Sequence, residues 1–192
     1  STAYSLISQD HGKLRDITTL LQPGAFFADD TARYERAIQA VAGTNTAVIG
    51  VHNLIDGALD YRHLLNGSSA KDRERAESAR AALTRETVLK YLFTSGSTGS
   101  PKAVISTNGN LTSNQAMVRD CYRFLETEPP IVLDWAPWNH TAAGSKLSYM
   151  ILTNGGTYYI DDGKPTADGI ETTVQNLRDI ACTWYFNVPA GF

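Results

Sequence analysis

Nine consecutive residues concentrate the chemistry of this 192-residue chain: Thr94-Ser95-Gly96-Ser97-Thr98-Gly99-Ser100-Pro101-Lys102, directly after the apolar run Leu89 to Phe93. Glycines let a backbone approach an anion and turn its N–H groups inward, hydroxyls add donors, and an ammonium supplies the countercharge that phosphate oxygens need. The composition suits a polyphosphate. It is not a Walker A loop, in which Gly-Lys-Ser/Thr opens a helix, because Pro101 precedes Lys102 and Ala103-Val104-Ile105 continues as strand. The other reading is a Ser/Gly-rich linker or a wide turn between two strands. A linker needs neither Lys102 and Pro101 at fixed places nor two strongly apolar flanks, so the phosphate reading is preferred.

A second candidate is His140, in Leu133-Asp134-Trp135-Ala136-Pro137-Trp138-Asn139-His140-Thr141. Read from the residues alone it caps a local turn, since no paired carboxylate or cysteine stands at nucleophile–base spacing. His11, His52 and His63 read as plain surface or core histidines. Cys121 and Cys182 are too few and too far apart for a zinc cluster or a redox pair; both are expected to be buried thiols in a reducing compartment. Three Asn-x-Ser/Thr sequons, at Asn66, Asn110 and Asn139, carry little weight without a secretory signal.

The elements that must position these residues follow from periodicity. Residues 1–30 read as an irregular opening segment with one short strand, punctuated by Gly12, Pro23 and Gly24. Tyr34, Ala37, Ile38 and Val41 fall on one helical stripe, predicting a helix over 31–41, and 46–51 is a β-branched strand. Asn66 to Ser69 reads as a loop. Residues 71–86 interleave five basic and four acidic side chains, the mark of a solvated helix with i,i+4 pairs rather than a binding patch. Strands are predicted at 89–94, 103–106, 131–135, 156–160 and 183–188, and helices at 111–125, 146–152 and 170–180. Ile170, Val174 and Leu177 share the face of the last helix, with Asp168 and Glu171 as a capping box. Alternating strands and helices argue for an α/β fold, a mostly parallel sheet flanked by helices, with functional residues on loops at strand ends.

Composition sets the outer bounds. Seventeen Lys+Arg against twenty Asp+Glu give a net charge of −3, which excludes nucleic-acid binding on charge, and a 42% hydrophobic fraction suffices for a packed core. No run approaches the ~18 apolar residues of a membrane span, and Ser1 to Asp10 has no signal-peptide pattern, so a cytoplasmic protein is expected.

The loop Thr94 to Lys102 resembles the signature Ser/Thr-Ser-Gly-Ser/Thr-Thr-Gly-x-Pro-Lys of the adenylate-forming superfamily of acyl- and aryl-CoA synthetases, luciferases and peptide-synthetase adenylation domains. The Pro137-Trp138-Asn139-His140 segment, with Gly144 after it, is similar to the second family motif, and Trp184-Tyr185-Phe186-Asn187-Val188-Pro189 to the strand and turn approaching the acyl pocket. These two forms look most like feruloyl-CoA synthases and related aryl-acid or acyl-CoA ligases. One departure is Ala103, where the family usually has Gly.

The resemblance implies an acid–CoA ligase. It would activate a carboxylic acid, aromatic such as a hydroxycinnamate or fatty, with ATP to an acyl-adenylate, then pass it to coenzyme A, with magnesium sharing the charge. It implies that Thr94, Ser95, Gly96, Ser97, Thr98, Gly99 and Lys102 hold the ATP phosphates, and that Lys102 offsets charge on departing pyrophosphate. His140 would be a gate that orients the carboxylate, with Trp138, Asn139, His140 and Gly144 lining the acyl pocket. Residues 1–192 would then be part of the large N-terminal AMP-binding domain, with the phosphate loop at 94–102 and acyl-pocket segments at 133–145 and 183–189. The adenine and ribose segments and the C-terminal domain with its adenylation lysine are not in the sequence, so a fragment inactive alone is expected. The competing class is a standalone, non-catalytic nucleotide- or partner-binding module.

Overall fold

The structure is a computed structural model that describes residues 3–94 and 102–189. It divides into two compact units, residues 1–83 with 93–103, and residues 84–92 with 104–192.

The first unit opens with a π-helical turn, Ala3–Ile7, and continues through α1 (Gly12–Leu21), β1 (Ala25–Asp30), α2 (Glu35–Val41), β2 (Ala47–His52), β3 (Leu59–Asp60), α3 (Tyr61–Asn66) and α4 (Ala70–Ala81). Strands β1, β2 and β3 form a parallel sheet in that order, with Phe26 opposite Val48 and Gly50 opposite Asp60. The opening segment is therefore more regular than its punctuation suggests. Helix α1 starts at Gly12 itself and is bracketed by His11 (φ 53°) and Gln22 (φ 45°), two left-handed residues that are not glycine. Thr31 is fully buried; its hydroxyl donates to the Asn53 carbonyl (3.0 Å) and accepts from the Ile55 amide (2.8 Å), tying the end of β1 to the end of β2.

Helix α4 is exposed along its whole length, as its charge interleaving predicts. Its ion pairs are Arg75–Asp72 (3.9 Å) and Arg80–Glu77 (2.8 Å), spaced i,i+3 rather than i,i+4. A capping box closes its start: the Asp72 amide donates to Ser69 Oγ, and the Ser69 amide donates to the Asp72 carboxylate.

The second unit takes most of β4 (Val88–Thr94) and β5 (Lys102–Thr107), which pair with each other, then α5 (Asn108–Cys121), a 3-10 turn Arg123–Glu126 and β6 (Ile131–Asp134). A π-helical turn, Ala142–Leu147, runs into α6 (Ser148–Asn154), followed by β7 (Thr157–Ile160), α7 (Ile170–Asp179) and β8 (Trp184–Tyr185). The sheet order is β7-β6-β8, all parallel. Val118, Leu125, Val132, Leu147, Met150 and Ile151 form the core, with Tyr122, Tyr158, Trp184 and Phe186 packed against it. The expected α/β class is thus observed, with its parallel strands in two separate sheets among the described residues.

Four local expectations are corrected. Helix α5 begins three residues earlier than predicted, because Thr107 and Asn110 make a capping box; the Asn110 side chain of the second sequon is occupied there. Asp168 and Glu171 make no capping box; α7 starts after Gly169 without a side-chain cap, although its Ile170, Val174 and Leu177 face is half-buried as read. Strand β8 spans two residues rather than six, since only Trp184 and Tyr185 pair with β6. Cys121 is exposed, not buried, at the last turn of α5, while Cys182 is half-buried and burial pushes its thiol up.

Candidate functional site

In open parallel sheets ligands bind beyond the carboxyl ends of the strands. Strand β6 is the centre of the second unit's three strands, and its register pairs Val132 with both Tyr158 and Trp184. Its last residue, Asp134, is 2% exposed. The Tyr158 hydroxyl donates to Asp134 Oδ2 (2.5 Å) and the Ala136 amide to Oδ1 (3.1 Å), while the Asp134 carbonyl accepts from the Asp161 amide (2.9 Å). Burial outweighs these donors and raises the Asp134 pKa, with the Asp161 charge adding to the rise. Burial, with the Asp134 carboxyl beside it, pushes the Tyr158 hydroxyl well up. Asp161, at the end of β7, is itself buried and accepts from Thr173 Oγ1 (2.7 Å), Asn176 Nδ2 (2.8 Å) and the Gly163 amide (2.9 Å), which fastens α7 to the sheet.

The segment after β6 carries the residues expected to line an acyl pocket. At its root Trp135 Nε1 donates to Asn187 Oδ1 (3.0 Å), and Asn187 Nδ2 donates to the Tyr185 hydroxyl (2.7 Å), linking the ends of β6 and β8. Pro137 to His140 are exposed and form a turn, closed by the His140 amide on the Pro137 carbonyl (2.9 Å). Trp138 is 57% exposed and sets its ring edge against Tyr158, with centroids 5.8 Å apart. His140 Nδ1 accepts from the Ala142 amide (3.2 Å), so the turn-capping contact expected from the residues alone is present. That contact places the neutral ring's proton on Nε2, which nothing engages among the described residues.

Gly144 sits inside the π-helical turn because a side chain there would overlap the Trp138 carbonyl oxygen. Its own carbonyl accepts from Lys90 Nζ on β4, whose ammonium lies 4.9 Å from the Tyr149 ring centre and whose pKa is lowered by burial. π-Turns are rare and gather at functional sites. Of the four residues expected to line the pocket, only Gly144 lies in this one; its amide donates to the His140 carbonyl (2.9 Å), which joins the two turns.

The residues expected to form a phosphate loop are described only at its two ends. Thr94 is the last residue of β4 and Lys102 the first of β5, both exposed, so the loop joins two paired strands as expected. Ser95, Gly96, Ser97, Thr98, Gly99, Ser100 and Pro101 lie outside the described residues. Thr94 and Lys102 fall in the first unit and Trp138 to Gly144 in the second.

Sequence reasoning missed Tyr158 and Lys90 as neighbours of the His140 turn, and it gave Asn187 no role of its own within the segment 183–189. Asp134 stood in the quoted motif without a role. Their contacts span 24 to 54 residues of chain, and a lone Tyr or Lys in a strand carries no local signal. No group of three or more His, Cys, Asp or Glu that could hold a metal is found among the described residues. Among the described residues no helix is long and apolar enough to cross a membrane.

The AMP-binding enzyme family matches residues 8–192, and the chain belongs to that family. An acyl-CoA ligase, sidI, of Beauveria bassiana is 29% identical over 133 residues, 69% of this chain and 22% of the relative. An acetyl-coenzyme A synthetase of Pseudoalteromonas translucida is 28% identical over 136 residues, 70% of this chain and 21% of the relative. The chain thus spans about a fifth of these relatives' length. Among solved structures, ATP-bound MatB from Rhodopseudomonas palustris superposes with a TM-score of 0.69 at 20% identity, covering 96% of this chain and 33% of MatB. McyG A-PCP complexed with phenylalanyl-adenylate gives 0.58 at 21% identity, over 93% of this chain and 24% of the other. At these identities the structures show the fold alone.

Proposed function

We propose that the protein carrying this chain is an ATP-dependent acid–CoA ligase, which joins a carboxylic acid to AMP and then to the thiol of coenzyme A. The observation that carries this reading is the family match over residues 8–192, a range that includes both the loop between β4 and β5 and the turn after β6. In the first step a carboxylate oxygen attacks the α-phosphate of ATP, accompanied by magnesium, and pyrophosphate leaves. In the second the thiol attacks the acyl carbon and AMP leaves.

The chain's own contribution is electrostatic rather than covalent. Backbone amides and hydroxyls from Thr94 to Thr98 hold the β- and γ-phosphates, Gly96 and Gly99 permit their approach, and the Lys102 ammonium offsets charge on the departing pyrophosphate. His140 presents Nε2–H, a donor fit for a carboxylate oxygen, from a turn beside the half-exposed Trp138 ring. That pairing of a donor with an aromatic face favours an aromatic acid, such as a hydroxycinnamate, over a straight fatty chain. The Pro137-Trp138-Asn139-His140 and Phe186-Asn187-Val188-Pro189 segments point the same way.

The test is acid-dependent exchange of labelled pyrophosphate into ATP by the complete protein, with hydroxycinnamate, benzoate, acetate and a fatty acid, followed by thioester detection after adding CoA. Exchange with an aromatic acid and a CoA thioester is expected. Nucleotide binding without exchange for any acid would overturn the ligase reading in favour of a binding module.

A further inference from the structure

We propose that Tyr158 and Asp134 form a positioning pair that sets where the His140 turn stands over the carboxyl end of β6. The role assigned to His140 rests on the acid-activation reading, whereas the pair itself is argued from the geometry.

Pro137, Trp138, Asn139 and His140 are all exposed, so burial does little to fix this turn and directional contacts must do it. Two of those contacts converge on Tyr158. Its hydroxyl donates to the buried Asp134 carboxylate at the root of the turn, and its ring takes the edge contact of Trp138, two residues before His140. Asp134 extends the connection through its other oxygen, which accepts from the Ala136 amide inside the segment. One tyrosine therefore holds the turn at both its base and its tip.

The choice of residue types argues against packing alone. Val132, two positions earlier on the same strand, is apolar and fully buried, which is what a core position at the end of β6 would ask for. Placing a carboxyl at Asp134 costs desolvation, and a nearby second buried carboxyl, Asp161, adds to the cost. The arrangement is intelligible when the carboxylate is there to orient the Ala136 amide and the Tyr158 hydroxyl. Tyr158 lies diagonally across the strand pair from Asp134, since its register partner is Val132 and that of Asp134 is Ile160. The hydroxyl is what closes that diagonal, and it also faces the Trp138 side chain; a phenylalanine would keep the edge contact of the two rings and lose what the hydroxyl gives to both Asp134 and Trp138.

The experiment labels the protein with 5-fluorotryptophan and assigns the fluorine lines of Trp135, Trp138 and Trp184 by replacing each with Phe. Tyr158→Phe should shift or broaden the lines of Trp135 and Trp138 and leave that of Trp184, which packs on Tyr122 and Phe186. Asp134→Asn, close to isosteric, is the second variant and should move the same two lines. Unchanged Trp138 lines in both variants overturn the proposal, and so does an equal disturbance of all three, which would mark a general structural role. In the exchange assay Tyr158→Phe should lower kcat/KM for the acid by about tenfold with KM for ATP unchanged, because only the turn is displaced; equal loss on both substrates overturns the pair as a positioning device. A parent protein without exchange for any acid would refute acid activation while the fluorine result stands.

Discussion

Replacing Gly144 by alanine tests the geometry of the His140 turn most directly. The added methyl would overlap the Trp138 carbonyl oxygen, and would stand 2.9 Å from the carbonyl carbon and 3.4 Å from Cα of the same residue. All three are backbone or backbone-attached atoms, so no flexible side chain can swing away. The turn would have to retreat by about 1 Å, against the His140–Pro137 and Gly144–His140 hydrogen bonds (2.9 Å each) and the Trp138–Tyr158 contact. Overpacking typically costs about 1–3 kcal/mol, and a clash with fixed backbone belongs at the upper end, about 3 kcal/mol. Because Gly144 does not have a positive φ, the alanine should recover about 1 kcal/mol of helical propensity, leaving a net loss of about 2 kcal/mol. With an m-value of about 2 kcal/mol/M, the urea midpoint should fall by about 1 M at constant m. The fluorine line of Trp138 should move with it. A midpoint within about 0.2 M of wild type, together with an unmoved Trp138 line, would refute the close approach of the two segments.

Three further outcomes are expected. Lys102→Ala in the complete protein should slow acid-dependent pyrophosphate exchange by about 100-fold or more while binding of the acid changes little, as for loss of a charge aimed at a departing anion; an unchanged rate would remove its role. His140→Ala should alter the ranking of acids or the yield of thioester, and identical kinetics across aromatic and aliphatic acids would leave His140 as a turn cap only. Burial holds the folded-state pKa of Asp134 above its ordinary value of 3.8, so the native state binds that proton more tightly than the unfolded chain. Its contribution to stability should therefore fall as pH rises from 3.8 through the folded value and stay level above it. Asp134→Asn should remove that slope from urea midpoints measured across acidic pH, and parallel profiles for the two proteins would contradict the assignment.

Several elements were legible because their signals are local. The apolar stripe of Ile170, Val174 and Leu177, the alternation that yields β6, β7 and β8, and the charge interleaving of α4 each follow from residues a few positions apart. Helix α1 was missed because its ends are set by left-handed His11 and Gln22, and the capping box at Thr107 and Asn110 because an asparagine replaces the usual acidic partner. Asp168 misled for the opposite reason: the chain between β7 and α7 spends its polar groups elsewhere, with Asp161 rather than Asp168 bound to Thr173 and Asn176. Residue type alone places the Cys121 side chain inside, whereas α5 turns that position outward in its last turn.

The same distinction separates the two parts of the candidate site. The phosphate-binding role proposed for Thr94 to Lys102 rests on contiguous backbone amides, and a loop of that kind is written in consecutive residues and so survives as a readable pattern. The His140 turn is held by side chains that reach it from elsewhere in the chain: Tyr158 on β7 from 24 residues away, Lys90 on β4 from 54, and Asn187, just past β8, from 52. None of these is in the Pro137–His140 motif, yet each bonds to Asp134, Trp135 or Gly144, which bracket it. A relative could therefore keep the motif intact and still hold the turn in a different place after a single change at Tyr158, Asn187 or Lys90. Acid preference in such proteins should track these supporting positions as closely as the motif itself, and comparing Tyr158→Phe with Trp138→Phe on the same set of acids would separate the two contributions.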